Sequence, residues 1–200
     1  MTNTAVRLIL ASKSPRRRVL LKALRFPFRV VPSGVSERSD EKRPHRLVQE
    51  LARRKAEWVA RGRKNSLVLG ADTLVVLRGT ILGQPKNPAH AYQMLYRLSG
   101  TTHQVFTGVA LVDTVRGTSR AAYAVSSVRM KKLPIDLLLR LSRRHLDKAG
   151  SYAIQSKNDP IAKVVRGGYD NVVGLPVAVV RRLLAPYWRA RVLPRRRIPS

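Results

Sequence analysis

The segment VRLILASKSPRRR, residues 6–18, decides the fold class of this chain. Residues 6–11 form a short apolar run of the type that makes a buried strand. Ser14 and Pro15 then supply a helix N-cap and a proline in the first helical position. The apolar face of this helix is expected to carry Val19, Leu20, Ala23 and Leu24, with the helix ending near residues 26–27. A strand that runs directly into a capped helix is typical of α/β proteins.

The same alternation continues along the chain. The apolar run at residues 67–72 predicts a strand that ends at Asp72, and a hairpin is expected after it, turning at Arg78-Gly79. Further strands are predicted at residues 28–31, 105–115, 121–130, 152–154 and 161–165. Helices are predicted at residues 44–61, 87–98, 134–144 and 176–188, with a polar loop at 33–43. The sequence therefore predicts a mixed α/β fold with a central sheet.

Composition limits the function classes. A chain of 200 residues can form one compact unit or two small lobes. It has no cysteine, which excludes disulfides and thiolate chemistry. No apolar run approaches the roughly 18 residues of a membrane span, and the first residues lack the layout of a signal peptide. We expect a cytoplasmic protein without a membrane partner.

The charge is strongly basic. Forty Lys and Arg residues stand against eleven acids, which gives a formal net charge of +29. Such a charge attracts polyanions, so nucleic acid is one candidate partner. However, the basic residues occur in nearly every segment, without the aromatic platform of RNA-recognition modules or zinc-finger spacing. A general bias toward arginine on a solvated surface is therefore favoured, and nucleic-acid binding stays an alternative.

The junction between the first strand and its helix has the features of a phosphate site. Free backbone N–H groups at a helix start attract anions, and the helix dipole adds to this attraction. The candidate substrate-binding residues at this point are Ser12, Ser14, Arg16 and Arg17, because hydroxyls and guanidinium groups bind phosphate oxygens. The alternative is an ordinary capped helix with solvated charges.

Asp72 is the strongest catalytic candidate. A carboxylate at the end of an apolar strand is costly unless it is paired or used, and ligands of open α/β sheets bind at the carboxyl ends of strands. Glu37, in the polar loop, is the second candidate for a general base or a metal ligand. A structural cap formed by Asp72 with Thr73 is the alternative. Gln155 offers both a donor and an acceptor to a base edge, although loop residues of this kind are weak signals alone.

Six blocks in order make the sequence similar to one known family. They are LILASKSPRRRVLL (8–21), LVLGADTLVVL (67–77), LGQP (82–85), LSGTTHQVFTGVAL (98–111), DKAGSYAIQ (147–155) and NVVGLP (171–176). The chain resembles the Maf-like nucleotide pyrophosphatases, or septum-formation-inhibitor proteins, from about residue 8 to residue 184. The resemblance implies an elongated mixed sheet flanked by helices, with two lobes around a nucleotide cleft, as in inosine triphosphatases. Residues 1–188 would form this single catalytic unit, and residues 189–200 a basic tail that frays.

The resemblance also implies an activity. Such proteins hydrolyse nucleoside triphosphates to the monophosphate and pyrophosphate with a divalent cation, magnesium or manganese. Asp72 matches their proton acceptor, while Arg16, Thr73 and Gln155 match the branch that acts on dTTP and UTP, with modified pyrimidine nucleotides as a further alternative. Thr73 and Gln155 would read the pyrimidine. A homodimer is left open.

Further residues complete the expected site. Lys55 matches a family lysine and would neutralise the leaving group, with a solvated helix face as its alternative. Glu37 and Asp72 would hold the metal. Where the family has a phosphate-binding lysine, this chain has Gln84, and Lys86 is the nearest replacement. This departure motivates a competing hypothesis of a basic nucleic-acid-binding protein on an inactive scaffold of the same family.

Overall fold

A computed structural model describes residues 7–154 and 161–188. Gln155 and the predicted tail, residues 189–200, lie outside these ranges. In the described part, strands and helices alternate in the order β1 (Arg7–Leu10), α1 (Pro15–Lys22), β2 (Phe28–Val30), α2 (Pro44–Ala60), β3 (Ser66–Leu77), β4 (Thr80–Leu82), α3 (Pro88–Leu98), β5 (Thr102–Asp113), β6 (Thr118–Met130), α4 (Ile135–Leu141), a 3-10 helix (Ala149–Ser151), β7 (Ala162–Arg166), α5 (Tyr169–Val173) and α6 (Val177–Trp188). None of the helices in these ranges is long and apolar enough to cross a membrane.

The strands form one mixed sheet. Its order is β2-β1-β3-β5-β6-β7, and β4 pairs with β3 outside this path. β1 is parallel to both β2 and β3, whereas the pairs β3–β4, β3–β5, β5–β6 and β6–β7 are antiparallel. The predicted α/β class with an elongated mixed sheet flanked by helices is confirmed.

One edge of β3 is shared by two strands. β5 pairs with β3 from Leu67 to Val76 and so occupies one edge along nearly the whole strand. β1 and β4 must therefore lie on the other edge. β1 pairs with β3 as far as Leu69, and β4 pairs only from Val75 onward. Between them, residues 70–74 of β3 have no strand partner on this edge, which leaves a gap beside Asp72.

The core is divided on one face of the sheet. At the β1 end, Leu8, Leu69 and Ala71 pack against α1 and α6, whereas at the β4 end Val75 and Leu77 pack with α3 and α4. α2 packs on the opposite face against β3 and β5. On this face of β3, Thr73 lies between the two clusters and belongs to neither.

Two predicted details of the strands are wrong, and one is confirmed. The strand predicted to end at Asp72 continues to Leu77, because β5 pairs with it throughout, and Asp72 lies in its interior. The hairpin does turn at Arg78-Gly79, where both φ angles are positive, as a type I′ turn requires. Residues 152–154 form no strand and follow the 3-10 helix instead.

The buried face of α1 also differs from the prediction. Ser14 caps the helix as expected. However, Val19 is 67% exposed and Ala23 is also exposed, whereas Leu21 and Leu24 are buried. The inward stripe at helical spacing is Arg17, Leu21 and Leu24, so the helix turns an arginine toward the protein.

Candidate active site

Two glycines bring α2 unusually close to the sheet. A Cβ atom at Gly70 would lie 2.1 Å from the Ala52 carbonyl oxygen, and one at Gly108 would lie 2.2 Å from the Val48 carbonyl oxygen. These distances are far below ordinary van der Waals contact, so only glycine allows this packing. Gly108 is paired with Asp72 across the β3–β5 ladder. The side chain of Lys55, on the buried face of α2, consequently reaches Asp72.

Asp72, Lys55 and Glu37 form a charged cluster on the α2 face. The Lys55 ammonium nitrogen lies 2.5 Å from Asp72 Oδ1 and 2.6 Å from Glu37 Oε1. Asp72 is 6% exposed and Lys55 is 8% exposed, whereas the Glu37 side chain is half exposed. The three predicted residues therefore meet at one place, with one ammonium between two carboxylates.

The protonation of Asp72 is governed by its burial. Desolvation raises the pKa of this carboxyl above its usual value, and the positive charges of Lys55 and Arg17 oppose the rise. Oδ1 is bonded to Lys55, but Oδ2 accepts no hydrogen bond from the described residues. A buried carboxylate with one fixed oxygen and one open oxygen can accept a proton from a bound water.

The start of α1 lies at the carboxyl end of β1. The Ser14 hydroxyl oxygen accepts the Arg17 backbone N–H, while the Ser12 hydroxyl oxygen accepts the Ser14 backbone N–H. Ser12 is buried and Ser14 is half-buried. Their hydroxyls thus order the loop that leads into the helix, whose N-terminus attracts anions.

Arg17 is committed to protein acceptors. Its guanidinium donates to the Gly174 carbonyl at 2.8 Å, to Thr73 Oγ1 at 3.0 Å and to Ser12 Oγ at 3.3 Å. These bonds join the α1 start, the middle of β3 and the turn after α5. Arg17 therefore fixes the geometry of the site, and three of its five N–H donors are already used within the protein.

Arg16 is placed differently. It is half-buried and makes no hydrogen bond or ion pair within residues 7–154 and 161–188. Burial lowers the pKa of its guanidinium, and the negative charge of Asp147 opposes this. The Arg16 guanidinium donors are therefore not used within these ranges and can bind a ligand.

Thr73 lies on the face of β3 opposite to Asp72, as alternation along a strand requires. Its hydroxyl oxygen is 3.1 Å from Thr107 Oγ1, and Thr107 donates to the Asn171 carbonyl at 2.8 Å. Asn171 Nδ2 donates to the Val105 carbonyl and to Ser126 Oγ. Sequence reasoning missed Thr107 and Asn171. The signal for Thr107 is a threonine whose neighbours on the same face of the strand, Val105 and Val109, are apolar.

The remaining predicted residues lie at the periphery or outside the described ranges. Gln84 and Lys86 are exposed beyond β4, and neither side chain forms a hydrogen bond or ion pair with Asp72, Lys55 or Glu37. Only the Lys86 backbone N–H is bonded, to His90 Nδ1. Gln155 lies outside the described residues.

The acidic residues fit a cation shared with phosphate. No group of three or more His, Cys, Asp or Glu side chains comes together in the described ranges. Glu37 and Asp72, however, each place one oxygen within 2.6 Å of the same cationic nitrogen. Magnesium is commonly bound by one or two carboxylates together with substrate phosphates. Two converging carboxylates are thus an adequate donor set for that mode of binding.

Comparison with known proteins identifies the family. The model of the family described as "Maf-like protein" matches residues 7–187. The chain belongs to this family. The match spans the α1 start, Asp72, Lys55 and Asn171, so the Maf-like region contains the whole cluster described above.

Curated relatives of this Maf-like chain carry a common name. A protein named dTTP/UTP pyrophosphatase from Elusimicrobium minutum (strain Pei191) is 38% identical over 182 residues, which cover 91% of this chain and 99% of that protein. One of the same name from Moorella thermoacetica (strain ATCC 39073 / JCM 9320) is 45% identical and covers 90% and 94%. Among solved structures, a HAM1 protein from Coxiella burnetii aligns more distantly, with a TM-score of 0.45 and 18% identity over 64% of this chain and 75% of that chain.

Proposed function

We propose that this chain is a hydrolase that cleaves dTTP and UTP to the nucleoside monophosphate and pyrophosphate. The observation that carries the proposal is the Asp72–Lys55–Glu37 cluster beside the gap in β3. The names of the full-length relatives support the same reaction and the same substrates. The site joins an open carboxylate oxygen, a buried ammonium and a helix start suited to anions.

Asp72 acts as the general base. Its Oδ2 takes a proton from the attacking water as the water oxygen bonds to the α-phosphorus. The bond between the α-phosphorus and the bridging oxygen then breaks, and pyrophosphate departs with the electron pair. The Lys55 ammonium holds Asp72 Oδ1 in place, and its positive charge offsets the negative charge that develops on the leaving group.

The triphosphate is held at the α1 start. Arg16 and the backbone of residues 13–16 bind phosphate oxygens, since this guanidinium has no bond to the described protein residues. Arg17 and Ser12 hold this loop in position rather than binding the substrate directly. The gap between β1 and β4 forms the nucleotide cleft, and the two core clusters on either side of it form the two lobes of one catalytic unit.

A divalent cation is part of the proposal. Glu37 and Asp72 would hold magnesium or manganese together with phosphate oxygens. When bound, the cation reduces the negative charge of the triphosphate and polarises the phosphoryl oxygens. Lys55 would then share the two carboxylates with this second positive charge.

The test is a panel of nucleoside triphosphates assayed for pyrophosphate release with magnesium or manganese added. We expect dTTP and UTP to be hydrolysed fastest, and an Asp72→Asn protein of unchanged melting temperature serves as the control. Absence of release from every nucleotide would refute the proposal. The competing function, suggested by the +29 charge, is nucleic-acid binding, which would appear as duplex binding without turnover that weakens steeply as salt increases.

A further inference from the structure

Thr107 is a buried hydroxyl that the catalytic steps do not use. It is completely buried in the middle of β5 and lies opposite Thr73 in the β3–β5 ladder. Its oxygen is 2.8 Å from the Asn171 carbonyl oxygen and 3.1 Å from Thr73 Oγ1. A carbonyl can only accept, so the single Thr107 proton is used in the bond to Asn171.

This assignment fixes the direction of the remaining bond. Because the Thr107 proton points to Asn171, the contact between the two threonines is a hydrogen bond only if Thr73 donates to Thr107. Thr73 also accepts from Arg17 Nη2 at 3.0 Å. The chain therefore runs in one direction, from the Arg17 guanidinium through Thr73 and Thr107 to the Asn171 carbonyl.

The direction determines what Thr73 can offer to a ligand. Its proton and one lone pair are already used, so one acceptor position remains. Thr73 is half-buried and lies in the stretch of β3 that has no strand partner beside it. Phosphate oxygens are acceptors and gain nothing from such a position. A group with an N–H or O–H donor, on the base or the sugar, is the suitable partner.

We infer that Thr107 and the Asn171 carbonyl are positioning groups for specificity, which keep Thr73 an acceptor and thereby favour a base with an imide N–H. Uracil and thymine carry this donor at N3, whereas N3 of cytosine is an acceptor and would face another acceptor. Recognition of this kind rejects the wrong partner because a polar group is left unpaired. The inference rests on the proposed function, since it assumes that the nucleotide base reaches Thr73.

The variant test compares kcat/KM for UTP with that for CTP. Thr107→Val keeps the side-chain shape but releases the Thr73 proton, which can then donate to cytosine N3. We expect the ratio of kcat/KM for UTP to that for CTP to fall about tenfold or more.

Three controls accompany this variant. Thr107→Ser retains the hydroxyl and should keep the wild-type ratio. Ser126→Ala removes a different bond of Asn171 and should keep it as well. In a Thr73→Val background, Thr107→Val should change the ratio no further.

A second measurement requires no variant. The wild-type protein should hydrolyse 3-methyluridine 5′-triphosphate at least about tenfold more slowly than UTP, because the methyl group replaces the N3 donor. Equal rates on these two substrates would overturn the inference, even if Thr107→Val fails to fold. An unchanged UTP to CTP ratio in folded Thr107→Val would also overturn it, as would an equal fall in Ser126→Ala. Hydrolysis of UTP and CTP alike by the wild type refutes only this inference, whereas no hydrolysis of any triphosphate refutes the proposed function itself.

Discussion

Replacing Gly108 by alanine should damage both stability and catalysis, although Gly108 touches no proposed substrate group. The new Cβ would lie 2.2 Å from the Val48 carbonyl oxygen and 2.7 Å from the Gln49 backbone nitrogen. Ordinary carbon contacts begin near 3.5 Å, so α2 must retreat by about 1 Å. Both clashes are with backbone atoms, which cannot be relieved by a side-chain rotation. We expect a loss of about 1–3 kcal/mol in the free energy of unfolding.

The same movement separates Lys55 and Asp72, the proposed catalytic pair. Lys55 is on α2 and Asp72 is on β3, next to Gly108 in the sheet. A displacement of about 1 Å at a catalytic group can reduce the rate by about 10²-fold. We therefore expect kcat/KM for dTTP to fall by about that factor at a temperature well below the melting transition.

Two measurements test this expectation together. Thermal unfolding should show a decrease of about 2–12 °C in Tm for a chain of this size. Pyrophosphate release is then measured at roughly 20–25 °C below that Tm, where the unfolded fraction is small. The rate at that temperature reports the catalytic loss apart from unfolding. Gly83→Ala is the matched control, because a Cβ there meets no atom within 4 Å and its φ is not positive. A Gly108→Ala protein with the Tm and the rate of the wild type would refute the role given to this close packing.

The other predictions concern single side chains. Asp72→Asn should keep the fold and lose about 10²- to 10⁴-fold in kcat, as measured by pyrophosphate release; turnover like that of the wild type would contradict the general-base assignment. Because burial raises the pKa of Asp72 and the base works ionised, kcat/KM should decrease on acidification through a pKa above the usual aspartate value; a pH profile that stays flat down to that usual value would contradict it. Gln84→Lys should raise turnover about tenfold if the site lacks a cation; no gain, with collapse in Lys86→Ala, would show that Lys86 has taken that role. Gln155→Glu should shift relative kcat/KM away from dTTP and UTP by about 1–3 kcal/mol; unchanged relative rates would argue against base reading by this residue.

The sequence predicted the residue types of the charged cluster but not how they meet. In the sequence, Asp72 stands at the end of an apolar run, whereas in the structure it lies inside a longer strand. The strand continues because β5 pairs with it beyond Asp72, and such a long-range pairing leaves no local signal. The parallel neighbour β1, however, does end just before the level of Asp72, so Asp72 still lies at the carboxyl end of one parallel strand.

Neighbouring arginines show a second limit of sequence reasoning. Arg16 and Arg17 are adjacent and chemically equal, but they are about 100° apart around the helix axis. Only Arg17 lies on the stripe with Leu21 and Leu24, so its guanidinium turns inward to Gly174 and Thr73. The rotation of α1 is set by packing, which the distribution of apolar residues in eight positions did not define.

Other features had signals that could have been used. Gly70 and Gly108 are glycines inside apolar strands, which indicates close approach of another backbone. Thr107 and Asn171 are polar residues in apolar surroundings, and both are buried and bonded to each other. Sequence alone could not pair them, because Thr107 and Asn171 are 64 residues apart along the chain.

Successive side chains in the middle of β3 point to opposite faces of the sheet, and this separates two proposed tasks. Asp72 points to α2, where Lys55 and Glu37 supply charge, and Thr73 points to the opposite face, where Arg17 and Thr107 supply directed hydrogen bonds. If β3 were paired along its whole edge, the sheet would prevent a ligand on one face from reaching residues on the other face. The gap between β1 and β4 removes this barrier, because a nucleotide that enters at the strand edge can reach both faces. If Asp72 and Thr73 have the proposed roles, phosphate chemistry and base selection can vary independently. Substitutions on the Thr73 face should then alter substrate choice, while the Asp72 face keeps the reaction.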